Sequence, residues 1–87
     1  MTFFTYIIRS EVDGSYFYGQ TTNLLRRLNR HNKGLMEATR SKRPWVLVAY
    51  KEFSTRSGAM SYERRLEELK SKNAVLNFIK KNGFKKV

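Results

Sequence analysis

At 87 residues and 40% hydrophobic content, the chain has material for one compact core and too little for two. It has no cysteine, so neither disulfides nor a thiolate metal cluster can hold it together, which suits a reducing cytoplasm. Eighteen Lys and Arg against seven Asp and Glu give a net charge of +11, and a domain this basic releases counterions when it meets a phosphate backbone. A solvated surface tuned for solubility is the plainer meaning of the same charge.

The N-terminal run Phe3 to Ile8 is aromatic and β-branched, and Asp13-Gly14-Ser15 separates it from a second such run, Tyr16-Phe17-Tyr18. That is the pattern of a β-hairpin. It lacks the basic start and small-residue cleavage site of a secretory leader, and no apolar run approaches the roughly 20 residues of a membrane span. Thr21-Thr22-Asn23 supplies capping residues before a helix predicted over about Leu24 to Asn32, with Leu24, Leu25 and Leu28 as its buried stripe. Residues 35–43 mix polar and basic types up to the single Pro44 and read as a connecting, backbone-contacting loop.

Trp45 to Tyr50, extended by Lys51-Glu52-Phe53, has the continuous apolarity of a central strand. Ser54, Thr55 and Ser57 offer caps to a helix from Gly58 to Lys70, whose stripe is Ala59, Tyr62, Leu66 and Leu69. A last helix carries Val75, Leu76 and Ile79 and stops near Gly83. The order β-β-α-β-α-α predicts an α+β domain over residues 1–84, a small three-stranded, mainly antiparallel sheet flanked by helices, with 85–87 as a basic tail.

On the first helix Arg27 and His31 are i, i+4 neighbours at one border of the apolar stripe, where an arginine and an imidazole would stand together. Glu63 has the same border position on the second helix, and a carboxylate there must be paired, hydrogen-bonded or ligated. Read singly, the two basic residues are snorkelling side chains and the glutamate is half of an ion pair. Read together they supply what phosphodiester hydrolysis needs: charge stabilisation, a base for water, and a carboxylate on which a divalent cation can sit. One histidine, one aspartate and no cysteine leave little for a zinc cluster or a Ser-His-Asp triad, and the scattered glycines form no nucleotide-binding loop.

The arrangement resembles the GIY-YIG nuclease superfamily, with Phe4-Thr5-Tyr6 at the first motif, Phe17-Tyr18-Gly19 at the second, and Asn23-Leu24-Leu25-Arg26-Arg27-Leu28 at the family's helix start. The resemblance covers nearly the whole chain. It implies that Arg27 contacts the phosphate, that Glu63 holds one Mg²⁺ or Mn²⁺, and that Tyr6 helps to activate water with His31 as backup base or phosphate contact. Gln20, Arg30, Arg40, Lys42 and Arg43 are the expected nucleic-acid contacts. Two departures stand out: Phe4 replaces the first motif's glycine, and Phe17 replaces the second motif's tyrosine, leaving adjacent Tyr18 as the nearest hydroxyl.

The expectation is therefore a monomeric DNA endonuclease or nickase with one divalent ion and no nucleotide cofactor, RNA remaining open as a substrate. Loss of the Phe17 hydroxyl sets beside it a catalytically weak or inactive nucleic-acid-binding module. A basic adaptor for a protein partner is the third alternative.

Overall fold

A computed structural model describes all 87 residues. Strand β1 (Phe3–Ser10) pairs antiparallel with β2 (Tyr16–Thr21) on one side and with β3 (Trp45–Phe53) on the other. The alternation of large side chains along β1 sends Tyr6 and Ile8 to one face of the sheet and Ile7 to the other. A register shift between Ile7 and Ile8 inserts Val48 into β3, so that Leu47 and Tyr50 both face the Tyr6 side.

Helix α1 (Leu24–Asn32) starts where Asn23 accepts a hydrogen bond from the Arg26 backbone, and it covers the Tyr6 face. Its inward stripe is the half-buried Leu24 and Leu28 and the buried His31, spaced four and three residues apart. Leu25, expected in that stripe, is 77% exposed, because one helical step of about 100° swings it off the sheet. The segment expected as a plain loop contains a 3₁₀ helix, Glu37–Lys42, whose Thr39 is buried.

Helices α2 (Arg56–Glu67, capped by Thr55) and α3 (Lys72–Lys81, capped by Ser71) cover the opposite face. There Ile7, Ala49, Leu66, Val75, Ile79 and Phe84 form the larger apolar cluster. The second helix starts and stops earlier than its apolar pattern suggests, so Leu69 packs on this core from just beyond its end.

The sheet has four strands, not three, in the order β2-β1-β3-β4. Residues 85–87, expected as a tail, contain β4 (Lys85–Lys86), which pairs with Tyr50 and Ala49. Gly83, at φ +70, turns the chain back after α3, and Phe84 then drops into the core and lays the next residues along β3. No helix is long and apolar enough to cross a membrane.

Candidate active site

The site grows from the middle of β1, where Tyr6 stands opposite Gly19. A Cβ at Gly19 would run into the Tyr6 hydroxyl, so the glycine is what lets the phenol lie across β2. Tyr6 is 2% exposed, and its Oη lies 2.9 Å from His31 Nε2. One helical turn before His31, the Arg27 guanidinium stands beside the same hydroxyl. Tyr6 from the first motif therefore meets Arg27 and His31 from the first helix.

Behind Tyr6 the polar contacts continue inward. His31 Nδ1 lies 2.8 Å from Thr39 Oγ1, which also reaches the Met36 carbonyl at 3.4 Å. With its proton on that carbonyl, the Thr39 oxygen accepts from Nδ1–H, which leaves the Nε2 lone pair to accept from Tyr6. The positive guanidinium beside Oη favours the same polarity, with the phenol's lone pairs toward Arg27 and its proton toward His31. Aromatic walls close the imidazole in: Phe17 packs on it edge-on with centroids 5.5 Å apart, and Trp45, whose Nε1 donates to the Thr39 carbonyl at 2.9 Å, lies alongside.

Burial and then the charges of Arg27 and Arg30 push His31 down to about 4, so the imidazole is neutral at physiological pH. Burial also raises the Tyr6 phenol, opposed by hydrogen bonding and charge from Arg27 and reinforced by the negative charge of Glu63. Glu63 itself is raised above the ordinary carboxylate range by burial and by Glu67, while Arg27 works against the rise. These mutual influences bring Glu63, from α2, into the electrostatic neighbourhood of Tyr6 and Arg27.

Glu63 fits a hard dication by its chemistry. Its ionisation is penalised by burial and by a second carboxylate, which a nearby cation relieves. No group of three or more His, Cys, Asp or Glu side chains is gathered into a metal cluster. Mg²⁺ can be held through one or two carboxylates with substrate phosphates and its own waters, so Glu63 is the residue here that could carry one.

The remaining candidates divide. The Gln20 carbonyl is reached by Arg27 Nη1 at 3.5 Å, and its side chain, on the other face of the sheet from Tyr6, accepts from Arg56 at 3.3 Å. Arg30 lies exposed beside Arg27. Arg40 donates to the Gly34 carbonyl at 3.0 Å, Arg43 packs on the same glycine, and Lys42 pairs with Asp13 at 3.3 Å in the hairpin turn. Those three are partly engaged within the protein, at the end of the sheet away from Thr21 and the start of α1. His31, with no exposed surface, is too deep for the direct phosphate contact expected of it. Sequence reasoning missed Thr39, which lies in a polar stretch without periodicity.

Comparison with known proteins bears on the family and the fold. The family described as the GIY-YIG catalytic domain matches residues 2–77. A UPF0213 protein of Pediococcus pentosaceus is 34% identical over 82 residues, covering 93% of this chain and 84% of that protein. One from Listeria monocytogenes is 37% identical over 71 residues, covering 80% and 78%. The solution NMR structure of a UPF0213 protein from Bacillus halodurans superposes with a TM-score of 0.57 at 31% identity, covering 92% of this chain and 84% of that one.

Proposed function

This chain belongs to the GIY-YIG catalytic-domain family, and we propose that it is a metal-dependent DNA endonuclease or nickase hydrolysing a phosphodiester bond. The observation that supports the reading is the buried contact of the Tyr6 hydroxyl with His31 beside Arg27, with Glu63 near enough for its charge to act on both Tyr6 and Arg27. In this reading Arg27 donates to the non-bridging oxygens of the scissile phosphate and stabilises the charge that builds there. Tyr6 takes a proton from the attacking water while its own passes to the neutral Nε2 of His31. By accepting from Nδ1–H, Thr39, 2.8 Å from that nitrogen, would keep the imidazole in the tautomer that can accept it.

Glu63 would hold the Mg²⁺ or Mn²⁺ ion, which when bound supplies charge neutralisation at the phosphate and the leaving oxygen. The +11 charge draws the polyanionic substrate to the surface without choosing its sequence.

A second reading, a catalytically weak or inactive nucleic-acid-binding module, is favoured by Phe17. Its ring packs against His31 and Trp45, where the motif carries a tyrosine. Tyr18 does not replace that hydroxyl, because it faces the opposite, α2–α3 side of the sheet.

Nicking of supercoiled plasmid in Mg²⁺, Mn²⁺ or EDTA separates the two. The nuclease reading expects metal-dependent nicking that Arg27→Ala reduces by about 10²–10³-fold, as loss of a transition-state donor does, and that Glu63→Ala abolishes by removing the carboxylate that would hold the ion. Salt-sensitive DNA binding with no nicking in either metal selects the binding module.

A further inference from the structure

Beside the Tyr6–Arg27 contact, around the start of α1, lies a cavity of about 260 Å³ lined by Thr21, Thr22, Asn23, Arg26, Arg27 and Arg30, with no apolar side chain in its wall. Three arginines line one small space. None of them has a carboxylate within ion-pair distance, since the molecule's only such pair is Lys42 with Asp13. The hydrogen-bonding capacity left in the wall is also uneven. Asn23 Oδ1 is taken by the Arg26 backbone at 3.0 Å, and Thr21 Oγ1 is engaged with the Asn23 backbone. The Thr22 hydroxyl and the heads of Arg26 and Arg30 make no hydrogen bond within the protein and are free for a ligand.

Gathering like charges costs energy unless an anion neutralises them, and the planar donor fork of arginine matches phosphate oxygens two at a time. The absence of aromatic or apolar lining leaves nothing on which a base could stack. Arg27 belongs both to this cavity and to the Tyr6–Glu63 group. We propose that the Arg26–Arg30 cavity is a second backbone-phosphate subsite, which holds the phosphodiester next to the scissile one on the same strand and so sets the strand's register over Tyr6. The placement relative to the scissile bond rests on the nuclease reading, whereas binding of a backbone phosphate does not.

The test is equilibrium binding of a short labelled DNA duplex in EDTA across a salt series, where no cleavage intervenes. It compares the native protein with Arg26→Gln/Arg30→Gln and with a control of equal charge change, Lys80→Gln/Lys81→Gln, in the exposed last turn of α3. Loss of one phosphate contact should lower the slope of log K against log salt by about 0.9 in the arginine variant and leave the lysine variant's slope near the native value. Equal slopes for the two variants, or native protein that does not bind the duplex, would overturn the subsite. A parallel melting series in inorganic phosphate identifies the source of the anion. Stabilisation of native protein alone, with the DNA slope unchanged in the arginine variant, would make the cavity a site for a free anion and overturn the backbone assignment. Absence of plasmid nicking with the slope difference intact would remove the nuclease reading and leave the phosphate subsite standing.

Discussion

The two faces of the sheet are built from the same strands and differ in what they bury. Beneath α2 and α3 the core is the apolar cluster of Ile7, Ala49, Leu66, Val75, Ile79 and Phe84, beside which the buried Thr5 hydroxyl makes one isolated hydrogen bond, to the Ala59 carbonyl at 2.7 Å. Beneath α1, Tyr6, Ile8 and Trp45 are interleaved with His31 and Thr39, each fully buried and each hydrogen-bonded. No buried side-chain nitrogen or oxygen lacks a partner. A polar chain of this kind is costly to bury and is tolerated only when every member is satisfied. The contrast teaches that the α2–α3 face holds the fold by apolar packing, whereas the α1 face holds a buried polar chain in one fixed geometry, the face on which the proposed chemistry would run.

The comparison breaks most visibly at Leu66, which has no exposed surface. Leu66→Ala should cost about 2–5 kcal/mol in urea unfolding, while nicking per folded molecule stays near the native rate. Loss of nicking out of proportion to the folded fraction would mean that the two faces are not separable.

The α1 face should announce itself through pH. His31 is held near 4 in the folded chain against an ordinary value of 6.5, so the unfolded chain binds a proton that the folded chain refuses. Stability from this residue is complete above pH 6.5 and is lost as pH falls toward 4, by roughly 3 kcal/mol in all. The raised carboxyl of Glu63 acts in the opposite sense, since protonating it favours the folded state as pH falls. Urea unfolding of native protein and His31→Gln between pH 7 and pH 4 isolates the histidine, whose substitution should flatten the fall. Parallel curves would remove His31 as its source.

A smaller effect sharpens the role of Thr39. Thr39→Val keeps the shape and removes the acceptor of the His31 Nδ1–H, which should cost about 1–3 kcal/mol. It should also slow nicking, by freeing the imidazole to take the tautomer that offers Tyr6 a proton instead of a lone pair. Stability and rate both at native values would show that Thr39 does not set the tautomer.

What the sequence revealed follows from how each signal is carried. Capping and apolar spacing place α1 at the residues it occupies, and the i, i+4 relation of Arg27 and His31 puts both on the Tyr6 side. Leu25 was misjudged because three leucines near one another look like one stripe, and only helical geometry decides which two turn inward. The β4 strand is two lysines, without β-branching or alternation, and it exists because Phe84 anchors the chain beside an otherwise unpaired edge of β3. Thr39 gives no periodic sign, since its partner His31 is brought to it by the packing of the 3₁₀ helix on α1. Arg26 and Arg30 do read as exposed helix residues, and their four-residue spacing, which Thr22 continues, puts them on one side of α1 where they line the same cavity.

The central claim is that the Tyr6 hydroxyl works in the reaction and does not merely satisfy His31. The most direct test is the single-turnover nicking rate of Tyr6→Phe in Mg²⁺, with DNA affinity and melting temperature measured on the same preparation. The account predicts about a 10²-fold or greater loss of rate, the range of positioned general-base catalysis, with affinity unchanged and the fold retained. A Tyr6→Phe protein that nicks at the native rate would contradict it.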